Sequence, residues 1–214
     1  VTERKLLIGP WYVQPDMIIP SGEALIRNLL VGSKYASSLG HCMNVGWVPD
    51  AFGQNKVTPY LFKELGMKGV YAWRGFDYEC LDDSLFLWKG NGNTVLPAVH
   101  FALGYGHYRG FPEDYQEVKK DMENFIPKLE ARYQDQEVLF MLGSDYAFPR
   151  RHAPKMIEKL KKDGYDCQMN NPENYLDTLL QAAKNNNHQL NVYEGEARSA
   201  ALGRIHAGIT STRI

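Results

Sequence analysis

Apolar positions recur along this chain in two spacings. Short unbroken apolar runs predict strands at residues 5–13, 41–48, 69–73, 94–101, 138–142, 167–170 and 189–193. Between them, apolar residues returning every three or four positions predict helices at 22–39, 59–65, 113–133, 153–162 and 172–184. Ser21 can cap the first helix and Gly40 can stop it, while Pro172 suits the first position of the last. Residues 75–93, rich in Asp, Gly and Asn, read as irregular.

Strand and helix alternate throughout, and the strands are continuous apolar runs rather than alternating ones. That combination predicts an α/β fold: a parallel sheet or β/α barrel with helices outside, as one domain over residues 1–214. In such folds ligands bind at the C-terminal ends of strands. The stretch GWVPDAFGQ fits this placement. Pro49 cannot continue a ladder, Asp50 follows it, and Gly53 lets the chain turn. Asp50 therefore reads either as a turn residue or as an active-site carboxylate.

Charge narrows the partners. With 24 basic and 25 acidic residues, the chain lacks the basic excess that nucleic acid or an anionic membrane would select. No apolar run reaches membrane-spanning length. Cys42, Cys80 and Cys167 are far apart and odd in number, which suits buried thiols in a reducing, cytoplasmic setting better than a disulfide framework.

Four strand ends carry chemistry. Asp50, Arg74, Tyr105 and Asp145 each follow an apolar run, so parallel strands would bring them to one rim. Two carboxylates, an arginine and an aromatic wall suit glycoside hydrolysis, in which one carboxylate attacks or acts as base and the other protonates the leaving oxygen. Taken singly, Arg74 reads equally as a surface ion pair and Asp145 as a helix cap. His41, His100, His107, His152 and His188 have no metal-ligand spacing and read as structural.

The stretches IGPWYVQPD, SGEALIRNLLVG, GWVPDAFGQ, GMKGVYAWRG, GSDYAF and RIHAGITSTR together resemble glycoside hydrolase family 38, the retaining zinc-dependent α-mannosidases, with the bacterial mannosylglycerate hydrolases most similar. The resemblance implies a seven-stranded β/α barrel. It implies that Asp50 is the nucleophile and a zinc ligand, and that Asp145 is the general acid/base. Arg74, Phe52 and Tyr105 would line the sugar site, and His206 would be the distal zinc ligand. The partner implied is a small α-mannoside or another mannosyl-containing substrate.

The chain departs from the family at its start, where nothing before Lys5 matches the His-x-Asp motif that provides two further zinc ligands. It also stops just past His206, ahead of the family's downstream domains. It thus reads as an incomplete catalytic barrel, expected to bind zinc weakly and to turn over poorly alone. A missing strand would leave an edge open to self-association into a homo-oligomer. Two other readings stand beside this one: a sugar-binding or inert fragment, and a metal-dependent carbohydrate deacetylase on a related barrel.

Overall fold

A computed structural model describes residues 1–79, 81–133 and 137–209. The elements run α1 (Gly22–Ser38), β1 (Gly46–Val48), α2 (Thr58–Glu64), β2 (Val70–Ala72), β3 (Leu85–Lys89), β4 (Val95–His100), α3 (Tyr115–Tyr133), α4 (Ala153–Lys162), α5 (Pro172–Asn185) and β5 (Val192–Glu194), with a 3-10 turn at Asn91–Asn93. The five strands form one sheet in the order β1-β2-β4-β3-β5.

β1, β2 and β4 are parallel, as expected. β3 pairs antiparallel with β4, and β5 is parallel to β3, so the sheet is mixed. Among the described residues it is open, not closed into the expected barrel. The expectation of irregular chain over 75–93 is corrected here. β3 lies within it, and the Asn-Gly-Asn turn after Gly90 reverses the chain into β4.

Both faces of the sheet are covered over β1 to β4, whose alternate residues supply the two cores, while β5 adds only Tyr193. Val70, Ala72, Phe86, Trp88, Leu96 and Ala98 enter one core with α1 and α2. Tyr71, Leu85 and Val99 enter the other, with α3 and α5. Trp88 is fully buried, edge-on to Phe76, and its indole N–H donates to the Gly195 carbonyl at 3.0 Å. Trp88→Ala therefore leaves a large hole and an orphaned carbonyl. A loss of about 3–5 kcal/mol is expected in urea-unfolding experiments.

Three further expected strands are not ladders. The 5–13 segment contains Gly9-Pro10, where proline offers no N–H and Gly9 adopts φ 84°. It still lies beside β1: the Met43 N–H donates to Ile8 at 2.8 Å and the Trp11 indole N–H to Trp47 at 3.1 Å. Residues 138–142 lie in no ladder, and their apolar side chains pack against the α3/α5 core and a third cluster around Val118, Met122, Met156 and Leu160. Residues 167–170 are likewise outside any strand. The run at 41–48 narrows to β1 because Glu173 captures its first part. His41 bonds the Glu173 carboxylate at 2.8 Å and the Asn44 N–H donates to it at 2.7 Å. Cys42 and Cys167 are free and half-buried rather than fully buried, with burial pushing both thiols up; Cys80 lies outside the described residues. Among the described residues no helix is long and apolar enough to cross a membrane.

Candidate active site

Parallel β1 and β2 end side by side, with Val48 opposite Ala72. Two residues beyond each end stand Asp50 and Arg74. The Arg74 Nε–H donates to Asp50 Oδ1 at 2.6 Å, a short charge-assisted bond. The Arg74 side chain is 13% exposed and that of Asp50 28%, so solvent screens the pair only in part. Phe52 and Trp73 sandwich the guanidinium, with ring centroids 4.2 and 4.3 Å from its carbon.

The backbone at this point is shaped for close approach. Gly53 has φ 114°, the turn expected after Asp50. Gly75, directly after Arg74, has φ 99° and sits against the Ala197 carbonyl, which a Cβ would strike at 2.1 Å. The Ser199 N–H donates to Gly75 at 2.8 Å. The distal segment thereby closes over the strand end, and the Arg74 Nη1 donates to Arg204 at 3.3 Å.

Tyr105 lies in the loop after β4. Its hydroxyl donates to Asp145 Oδ2 at 2.9 Å and also interacts with Asp50. Burial, then the bond to Asp145, then Asp50 all push the phenol well above its ordinary value, so it stays protonated at neutral pH. Asp145 is exposed and follows an unpaired segment rather than a strand. A cavity of about 350 Å³ lies here, lined by Trp47, Pro49, Tyr105, Gly143, Ser144 and Asp145. A larger one, about 670 Å³, lies between the 7–12 segment and α1; its apolar lining offers no carboxylate and no cation.

His206 joins the site through Phe52. The rings stack at 4.1 Å and the His206 N–H donates to the Phe52 carbonyl at 3.0 Å. The His206 Nδ1 bonds Asp16 Oδ2 at 2.6 Å. All six residues singled out from the sequence therefore fall in one connected neighbourhood. Trp73 and Asp16 belong to it as well and were missed. Trp73 carries a signal, an aromatic ending an apolar run before a cation. Asp16 reads locally as a Pro-Asp turn.

The donors for a metal do not converge. Among the described residues no group of three or more His, Cys, Asp or Glu side chains could hold an ion. Asp50 gives an oxygen to Arg74, and the His206 Nδ1 is engaged by Asp16. Two ligands already committed elsewhere do not fit a closed zinc site. Residues 210–214, the end of the RIHAGITSTR stretch and beyond, lie outside the described residues.

The model of the glycosyl hydrolases family 38 N-terminal domain matches residues 1–196. A protein of Halalkalibacterium halodurans named as a mannosylglycerate hydrolase is 25% identical over 211 residues, which are 93% of this chain and 23% of that protein. Human alpha-mannosidase 2C1 is 27% identical over 199 residues, 88% of this chain and 18% of its own. The crystal structure of an alpha-mannosidase from Enterococcus faecalis superposes with a TM-score of 0.84 at 23% identity, covering 90% of this chain and 22% of that one. The chain thus spans 18–23% of the length of these two sequence relatives.

Proposed function

The chain belongs to glycosyl hydrolase family 38, and from that membership we propose that it forms part of the catalytic domain of a retaining α-mannosidase-like hydrolase. The observation that carries this reading is the chain of contacts that joins the two carboxylates: Arg74 bonds Asp50, Trp73 packs on Arg74 and edge-on to Tyr105, and the Tyr105 hydroxyl donates to Asp145. Retaining glycosidases need two carboxyl groups about 5–5.5 Å apart, one as nucleophile and one as acid/base.

In this reading Arg74 holds Asp50 Oδ1, and Oδ2 attacks the anomeric carbon of a bound mannosyl group. The glycosidic C–O bond breaks as Asp145 delivers its proton to the departing oxygen. A glycosyl–Asp50 ester remains. Asp145, now a carboxylate, takes a proton from water, which attacks the same carbon and frees Asp50. The ring of Tyr105 offers a face against which the sugar packs, whereas both faces of Phe52 are taken, by His206 and by Arg74. Zinc enters only through the family resemblance, and no step here runs through it.

A second reading draws on the unconverged metal donors: the chain as given binds sugar without turning it over. One experiment separates the two. Residues 1–214 are assayed on an aryl α-mannoside with and without added zinc, and product anomers are followed by NMR. Release of the α-anomer first supports a retaining hydrolase. Release of the β-anomer first rules out the double displacement. Saturable binding without release favours the second reading.

A further inference from the structure

His100 is fully buried at the end of β4, in register with Ala72 of β2. The Phe101 N–H donates to Ala72 at 3.0 Å, and the chain then folds into a turn closed by the Gly104 N–H on Phe101. The main chain of β4 leaves the ladder there. The next carbonyl, that of Trp73 just beyond β2, is met by His100 Nε2 at 3.0 Å. A carbonyl only accepts, so Nε2 carries the hydrogen. Nδ1 is buried without a partner among the described residues, and a bare lone pair is cheaper to leave unpaired there than an N–H.

What this bond holds is the support of the nucleophile. Trp73 lays its ring 4.3 Å from the Arg74 guanidinium and edge-on to Tyr105 at 5.6 Å. Arg74 in turn holds Asp50. On the far side of Arg74, Gly75 is pinned by Ser199. The backbone around Arg74 is thus clamped at the carbonyls before and after it, once by main chain and once by the His100 ring.

We propose that His100 is a positioning residue for the Arg74–Asp50 pair: as the Nε2–H tautomer it fixes the Trp73 carbonyl, and with it the ring and guanidinium that orient Asp50. The link to catalysis rests on the reading of Asp50 as nucleophile; the positioning itself does not. Burial pushes His100 down to about 4, which keeps the ring neutral at neutral pH and preserves the bare Nδ1.

The test uses side-chain length. A glutamine amide nitrogen reaches about as far as Nε2, whereas an asparagine amide reaches only as far as Nδ1. In 15N NMR of the 214-residue chain at pH 7, wild-type His100 is expected as the Nε2–H tautomer. The Arg74 Nε–H resonance, assigned by its loss in R74K, is expected to shift toward its solvent-exposed position in H100N and to keep its place in H100Q. An Nδ1–H tautomer or an imidazolium in the wild type overturns the proposal. So does an Arg74 resonance unmoved in H100N, or one displaced as far in H100Q as in H100N, since packing alone would treat both alike. If H100N fails to fold, H100F, which fills the space without a donor, takes its place; if both fail, the wild-type tautomer decides. In the glycosidase assay kcat/KM should fall roughly tenfold or more in H100N and recover in H100Q. An NMR shift without that fall removes the link to catalysis. A 214-residue wild type with no activity matches the poor turnover expected of it alone and leaves the NMR result to decide the positioning.

Discussion

Asp50→Asn is expected to abolish turnover of the active enzyme on an aryl α-mannoside while leaving its fold unchanged. The substitution keeps volume and shape, and the Arg74 Nε–H can donate to an amide oxygen as it does to Oδ1 at 2.6 Å. What disappears is the charge that attacks carbon. Removing a nucleophile costs on the order of 10⁴-fold or more in kcat. The measurement is steady-state release of the aryl group, with near-ultraviolet circular dichroism as the control for folding. Asp50→Ala in the presence of azide adds a stereochemical check, since azide entering the space left by the carboxylate gives a glycosyl azide of inverted configuration. Turnover of Asp50→Asn within about tenfold of the wild type would remove Asp50 from the role, because no neutral amide supplies such a rate.

The helices were legible because their ends are written locally. Ser21 does cap α1, its hydroxyl accepting from the Ala24 N–H at 3.2 Å, and Asn171 caps α5 ahead of Pro172. Strands were less legible because an apolar run reports burial, not pairing. The 138–142 run is packed against two cores with no ladder. β3 is a true ladder strand that was overlooked among polar neighbours, Asp82, Asp83 and Ser84 on one side and Asn91 and Asn93 on the other. Its antiparallel pairing with β4 follows from the short turn between them, and that signal was present in the sequence.

The site divides in the same way. Asp50 and Arg74 were legible because each ends a strand of the same parallel pair. Their supports were not. Asp16 meets His206 across 190 residues of chain, a pairing that no local pattern announces. His100 reads locally as one more buried histidine at a strand end. Its meaning comes from the neighbouring chain, where it meets the Trp73 carbonyl just beyond the end of β2. Residue type and strand position point to the groups proposed to react; the groups that orient them come from tertiary contacts.

Asp145→Asn should separate substrates by leaving group. A general acid matters in proportion to the proton demand of the departing oxygen. An alkyl mannoside leaves as a strongly basic alkoxide, and loss of the acid should cost about 10²–10⁴-fold in kcat/KM. A dinitrophenyl mannoside departs as a stable anion, so its first step should change little. Its glycosyl-enzyme must still be hydrolysed, and in the proposed mechanism Asp145 is also the base that activates water there. Turnover of the dinitrophenyl substrate should therefore show a burst followed by a slow steady state in the variant. Added azide, which needs no base, should speed that steady state. The geometry sharpens the expectation: Asp145 is exposed and is tied to Tyr105 by a 2.9 Å bond, so an amide can occupy the same place without strain. Equal losses on alkyl and dinitrophenyl substrates, with no burst and no azide effect, would show that Asp145 supports the loop and does not move the proton.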